Sequence, residues 1–334
     1  MSTDPLVSVI MSVYNGDAFV EEAANSILEQ TYKNIEFIIF DDGSSDACPK
    51  ILQRLAKSDN RIRLTIQQNC GIPVTANRMI EQSRGTYISL MDHDDIKLPD
   101  CIARQVDYLQ RNPKCVAVGA LSVTINERGE TLRRRNKLSY KLRPYSIRRP
   151  NFLTFPPEIP SITNPSALIR SEAMRQVGGY RENFIYAHDF DLWFRLSELG
   201  EIHQINDELI LYRIHGKNTT STKRLDIIRH EIVVVLSALS RHNHLDDSAI
   251  INKFLGSVNF EETITHYREL LGATFPIDTY LFFKAVGARL PELVNERDTL
   301  ALRRRIFEHI ARGAPSFPKL KLARRLLSRT LRKP

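Results

Sequence analysis

The first half of the chain alternates short apolar runs with amphipathic stretches. Val7–Val13 (VSVIMSV) is apolar and rich in β-branched residues, and it stops at Tyr14-Asn15-Gly16. That is the pattern of a buried strand running into a turn. Residues 18–30 carry Phe19, Ala23, Ile27 and Leu28 at helical spacing behind Asp17, a candidate N-cap. Residues 35–40 form a second apolar run that breaks off at Asp41-Asp42-Gly43-Ser44-Ser45-Asp46, where Ser45 or Asp46 can cap a helix over about 49–57. The same reading gives a strand at 61–67, a helix at 73–83 and a strand at 86–91 that ends in Asp92-His93-Asp94-Asp95. A helix at 99–111 and a strand at 115–118 follow.

Alternation of this kind predicts an α/β fold: a mostly parallel central sheet flanked by helices, with a Rossmann-like nucleotide-binding half. Ligands of such sheets sit beyond the carboxyl ends of the strands. If the strands are parallel, Tyr14-Asn15-Gly16, Asp41-Asp42-Gly43-Ser44 and Asp92-His93-Asp94-Asp95 meet on one rim. From about 120 to 160 the pattern loosens into basic residues and five prolines, which predicts a long connection or flap. Strand character returns at 163–170, helical character at 189–199 and strand character at 209–214. From 222 onward the pattern is helical.

With 334 residues the chain has roughly two domains' worth of polypeptide. Its longest apolar runs fall far short of the ~20 residues of a membrane span. The segment MSTDPLVSVIMSVYNG lacks a basic leader and reads as a first strand, not a signal peptide. Cys48, Cys70, Cys101 and Cys115 are widely spaced, with no CxxC pair, so free thiols in a reducing cytoplasm are expected.

Charge changes the picture more. The net charge is +8, yet residues 301–334 hold 11 Lys/Arg against one acid, and residues 131–150 hold 8 Lys/Arg and no acid. Two basic patches therefore carry more than the whole excess. Such patches attract anions. No helix-turn-helix, RNA-recognition or zinc-finger signature accompanies them, which argues against nucleic acid. The tail KLKLARRLLSRTLRKP sets Leu320, Ala323, Leu327 and Leu331 on one helical stripe, suited either to an anionic membrane surface or to packing on the body of the protein.

The chemistry concentrates at the predicted strand ends. Asp92 and Asp94, two apart after an apolar strand, can direct oxygens to one point and suit a hard divalent ion; an acidic solvated turn looks the same. Asp41 and Asp42 can accept hydrogen bonds from a ligand or serve as turn residues. Tyr14 and Asn15 offer a stacking face and an amide, or simply a turn.

Taken together, the ordered segments VSVIMSVYNG, SILEQTYKNIEFIIFDDGSSD, NCGIPVTANRMIEQSRGTYISLMDHDD, SITNPSALIRSEAMRQVGGYREN, YAHDFDLWFRLSELG and YRIHGKNTTS resemble the family 2 glycosyltransferases of GT-A fold, over about residues 6–222. The resemblance implies an inverting transfer of a sugar from a nucleotide donor, usually a UDP- or dTDP-sugar, to an acceptor hydroxyl with Mn2+ or Mg2+. It implies that Tyr14, Asp41 and Asp42 surround the nucleoside and that Asp92 and Asp94 hold the ribose and the metal. By the same pattern His215 approaches the metal or diphosphate, and Asp189 is the catalytic base, with Asp191 as an alternative. Asn15, Asn77 and Arg78 complete the donor side.

Two positions depart from the pattern: His188 where Glu is usual, and Ala76 where a basic residue is common, with Arg78 a substitute. Trp193 reads as core or as an acceptor platform, and Arg213 as a phosphate contact or an ion-pair partner. The resemblance divides the chain into a catalytic unit at 1–222 (donor half 1–119, acceptor half 120–222) and a basic helical region at 223–334. It points to a saccharide or lipid-linked acceptor in bacterial surface polysaccharide synthesis, and to a cytoplasmic enzyme peripheral to the inner face of the plasma membrane. The competing readings are a sugar-nucleotide-binding module without catalysis and a phospho-receiver domain. The receiver reading is opposed by the strand that precedes the Asp41-Asp42 pair.

Overall fold

The computed structural model describes residues 4–132, 162–216, 218–242 and 244–255. Along the chain run β1 (Val7–Val13), α1 (Val20–Leu28), β2 (Ile35–Asp41), α2 (Cys48–Ser58), β3 (Ile62–Ile66), α3 (Ile72–Gln82), β4 (Tyr87–Asp92), β5 (Ile96–Lys97), α4 (Cys101–Arg111) and β6 (Cys115–Ile125). A 3-10 turn (Asn164–Ser166) then leads to β7 (Leu168–Arg170), α5 (Ser171–Gln176), α6 (His188–Leu199), β8 (Glu201–Arg213), α7 (Thr219–Thr222), α8 (Arg224–His242) and α9 (Ser248–Phe254).

One eight-stranded sheet has the order β3-β2-β1-β4-β7-β6-β8-β5. β1 pairs in parallel with both β2 and β4, and β2 with β3. β7 runs against β4 and β6, β8 runs parallel to β6, and β5 runs against β8. The carboxyl ends of β1, β2, β4, β6 and β8 therefore share one edge. The sheet is mostly parallel and covered by helices, as the alternation predicts.

The central strands β1, β2 and β4 are mainly apolar and buried because both sheet faces are covered there. In β1, Val7, Val9, Met11 and Val13 enter one core, shared with Ala23 and Ile27 of α1 and Leu52 of α2. Ile10 enters the other, with Met79 and Ile80 of α3 and Leu192 and Trp193 of α6. β2 divides likewise, Phe37 and Ile39 against Ile38 and Phe40.

Several expectations are adjusted. Asp17 does not cap α1; its carboxylate accepts from the Ala47 N–H at 3.4 Å, and α1 starts without a side-chain cap. Neither Ser45 nor Asp46 is the cap of α2: Ala47 stands there with no side-chain cap, and Asp46 just before it accepts the Cys48 N–H at 2.9 Å. The stretch 163–170 is not one strand. Pro165 lacks the N–H a ladder needs, and a 3-10 turn stands there before a three-residue strand. β6 and β8 are longer than their apolar cores because they pair along their whole length through register shifts. The basic, proline-rich stretch 133–161 and the tail beyond 255 lie outside the described residues. No described helix is long and apolar enough to cross a membrane.

Candidate active site

Three strand-end turns are bound to one another. Asn15 sits in the left-handed region at φ 51°, a conformation Asn tolerates better than most residues. From there its N–H donates to Ser44 Oγ at 3.0 Å, and its side-chain oxygen accepts the Ser45 N–H at 2.8 Å. That joins the first turn to the second. Gly16 lies flat against His93, so closely that any Cβ there would strike the imidazole, and this joins the first turn to the third. Tyr14 is half exposed at the rim.

Asp41 and Asp42 are both buried. Asp41 Oδ1 accepts the Ser44 N–H at 2.9 Å, while its buried Oδ2 has no hydrogen-bond partner among the described residues. Asp42 accepts from Gln67 Nε2 at 2.7 Å and from the N–H groups of Cys70 and Gly71 at 3.0 and 2.9 Å. Burial alone would raise its pKa, but these bonds, with Thr75, outweigh it and hold the carboxyl below its usual range. Arg78 is tied to the same group, donating to Gln67 Oε1 at 2.7 Å. Asn77 is turned elsewhere. Its Nδ2 donates to the Tyr180 carbonyl and its Oδ1 accepts the Tyr180 N–H, both at 2.8 Å.

At the end of β4, Asp92 Oδ1 accepts from Asn164 Nδ2 at 3.3 Å. Burial first, and then the charges of Asp94 and Asp189, push its carboxyl up to about 7, against the pull of Asn164 and Lys97. The catalytic-base candidate on α6 thus lies within electrostatic reach of the strand-end carboxylates. Asp94 Oδ2 meets His215 Nε2 at 2.9 Å and accepts from Asn218 Nδ2 at 3.2 Å.

Asp95 faces inward. Its Oδ1 accepts the Arg213 N–H at 2.8 Å, its Oδ2 has no hydrogen-bond partner among the described residues, and burial with the nearby Asp92 and Asp94 charges raises its pKa. Arg213 is buried and structural. Its Nε donates to the Asp94 carbonyl, Nη1 to the Asn126 and Glu127 carbonyls and Nη2 to Glu22, and its guanidinium lies 4.7 Å from the Phe19 ring centre. Lys97 is buried beneath the cluster, donating to Ser89 Oγ at 2.8 Å and to the Leu90 carbonyl at 3.1 Å.

Across the rim, α6 opens with Ala187 in the left-handed region at φ 56°. Asp189 Oδ1 accepts the N–H of its neighbour Phe190 at 2.8 Å. Asp191 is fully buried, 2.8 Å from Arg195 and 3.4 Å from Arg181, which removes it as an alternative base. Trp193 is core, 1% exposed. His188 stands edge-on to Tyr180, with ring centres 5.4 Å apart.

Two carboxylates and an imidazole form a donor set that fits a hard cation, and the crowding of Asp92, Asp94 and Asp189 is a negative charge that such an ion would relieve. Among the described residues no group of three or more His, Cys, Asp or Glu is arranged to hold a metal by itself. An ion at this rim would need further ligands, such as water and substrate phosphates. Asn164 and Asn218, absent from the sequence-derived set, both hold rim carboxylates. Neither spacing nor composition marks them, because their partners are more than 70 residues away in the chain.

Residues 8–178 match the family model described as Glycosyl transferase family 2. The chain belongs to glycosyltransferase family 2. Such an enzyme transfers a sugar from a nucleoside diphosphate donor. An uncharacterized glycosyltransferase of Rickettsia prowazekii is 31% identical over 270 residues, covering 76% of this chain and 82% of that protein. Chondroitin synthase of Escherichia coli is 30% identical over 238 residues, covering 71% of this chain but 33% of that protein.

Among solved structures, a Pyrobaculum calidifontis mannosyltransferase in complex with GDP-Man and Mn2+ aligns with a TM-score of 0.54 at 16% identity, over 90% of this chain and 79% of that one. S. aureus TarS 1-349 in complex with UDP-GlcNAc aligns at 0.55 and 16% identity, over 92% of each chain. These likenesses are of fold, and the fold is GT-A. The acidic pair Asp41-Asp42 stands at the end of β2, the second strand, whereas a receiver's acidic pair follows its first.

Proposed function

We propose that this family 2 enzyme moves a sugar, with inversion, from a UDP- or dTDP-sugar to a hydroxyl of a saccharide or lipid-linked acceptor, in bacterial surface polysaccharide assembly. The carrying observation is the strand-end rim at which Asp94 and Asp189 both act electrostatically on Asp92. Tyr14, Asn15, Asp41, Asp42 and Arg78 form the nucleotide side. Asp92, Asp94 and His215 are the residues that would hold a Mn2+ or Mg2+ ion. When bound, the ion supplies positive charge for the departing diphosphate; the Mn2+ of the archaeal mannosyltransferase supports this.

Asp189 takes the proton from the acceptor oxygen as that oxygen bonds to the anomeric carbon. The bond from that carbon to the diphosphate oxygen breaks, and the electron pair leaves with the nucleoside diphosphate. Loss of a positioned base typically costs about 10²–10⁴ in rate. Asp189→Asn is therefore expected to lose turnover by that order and keep donor binding. Wild-type turnover in this variant would remove Asp189 from the role. A screen of nucleotide-sugars for slow hydrolysis in the presence of Mn2+ identifies the donor.

The relatives support a polysaccharide setting: chondroitin synthase is one of them. The unit at 1–222 carries the chemistry in this reading, and the basic region at 223–334 brings it to an anionic, cytoplasmic membrane surface.

A further inference from the structure

We infer that Asn77 is a positioning residue, setting the distance between the donor carboxylate Asp92 and the base Asp189 through Tyr180. The inference rests on the functional reading above. Asn77 projects from α3 and closes both of its polar atoms on the backbone of Tyr180, at 2.8 Å each. One Nδ2 hydrogen and one Oδ1 lone pair are thereby committed to the turn rather than to a diphosphate.

The turn is shaped for this grip. Gly178 and Gly179 both have positive φ, at 74° and 67°, and a Cβ on Gly179 would stand 2.5 Å from Asn77 Oδ1. Tyr180 is thereby wedged, 4% exposed, in the core that also holds Met79 and Ile80 of α3 and Leu192 and Trp193 of α6. Its hydroxyl donates to Asn164 Oδ1 at 3.4 Å, and Asn164 Nδ2 donates to Asp92 at 3.3 Å. Its ring edge meets His188, the residue before Asp189, at 5.4 Å between centres. One clamped side chain thus touches the supports of both carboxylates.

Trp193, the only tryptophan, lies one helical turn beyond Asp189 in the same core and reports on the clamp without any activity. Asn77→Ala is expected to lower kcat roughly 10- to 100-fold, the cost of a displacement near 1 Å. Its Trp193 emission shifts to the red, while its affinity for UDP, GDP or dTDP with Mn2+ (whichever the wild type binds) stays within about twofold, since a positioning residue adds nothing to ground-state binding. Asn77→Asp keeps an acceptor for the Tyr180 N–H and recovers part of both signals. Tyr180→Phe keeps the ring and the backbone clamp, so it folds. It loses one hydrogen bond and roughly 2- to 10-fold in kcat.

Weakened nucleotide binding in Asn77→Ala, with unchanged kcat and unchanged Trp193 emission, would overturn the inference and make Asn77 a donor ligand. A wild-type protein that neither binds nor turns over any nucleotide-sugar ends the functional reading instead. The Trp193 response to Asn77→Ala still decides the clamp in that case: a red shift upholds it and an unchanged spectrum ends it.

Discussion

Glu36 is a buried acid on β2, whereas Asp189 stands half-buried at the start of α6. Glu36 is buried in β2, where it accepts from Ser8 Oγ at 2.6 Å, the Arg84 N–H at 2.7 Å and Arg63 Nη1 at 3.0 Å. Burial would raise its pKa, but these bonds prevail and hold it below the usual range. A depressed folded pKa stabilises the fold fully above the unfolded value, about 4.3. That contribution is lost as pH falls through the folded value. Glu36→Gln should therefore be less stable than wild type at pH 7 by about 1–3 kcal/mol. Urea midpoints should show the gap closing below about pH 4; a gap that is constant with pH would contradict this. The apolar run around Glu36 announced the strand, but nothing local marks its partners, which come from β1, from β3 and from the turn after α3. Asp191 shows the same limit. Two residues from Asp189 it reads as a second base, and only the packing of Arg181 and Arg195 reveals a buried ion pair.

β8 ends where four segments meet, and Arg213 is the tie. Its donors reach the Asp94 carbonyl before β5, the Asn126 and Glu127 carbonyls after β6, and Glu22 on α1. Arg213→Met removes a buried guanidinium together with all of these bonds and should cost about 3 kcal/mol. Glu22, whose side chain is 56% exposed, should cost under about 1 kcal/mol as Glu22→Gln. Denaturation midpoints of the two variants separate the cases; equal losses would show that the carbonyl contacts contribute nothing. The helices and strands themselves were legible because apolar period carries them. Their ends were less so. β6 and β8 extend past their apolar cores by pairing with each other, and Pro165 turns an expected strand into a 3-10 turn plus a short strand.

At the scale of the molecule, parallel pairing of β1, β2 and β4 is what gathers the acidic turns, and this much follows from strand alternation plus strand-end composition. The insertion of β7 and β6 beyond β4 is not legible, since it depends on pairings across the loosely patterned stretch after 120. The uneven charge makes a separate claim. The 11 Lys/Arg of residues 301–334 should bind anionic vesicles more strongly than neutral ones, in a salt-sensitive manner. Deletion of residues 317–334 should reduce co-sedimentation; equal pelleting with both vesicle types and no loss on deletion would count against a membrane role.

In the proposed reaction Asp92, Asp94 and His215 gather a cation-bound diphosphate. Calorimetric titration of UDP, with and without Mn2+, into the wild type and Asp94→Asn tests it most directly. Mn2+-dependent binding in the wild type that disappears in Asp94→Asn is the predicted result. Binding that is indifferent to Mn2+ and unchanged in Asp94→Asn would contradict it.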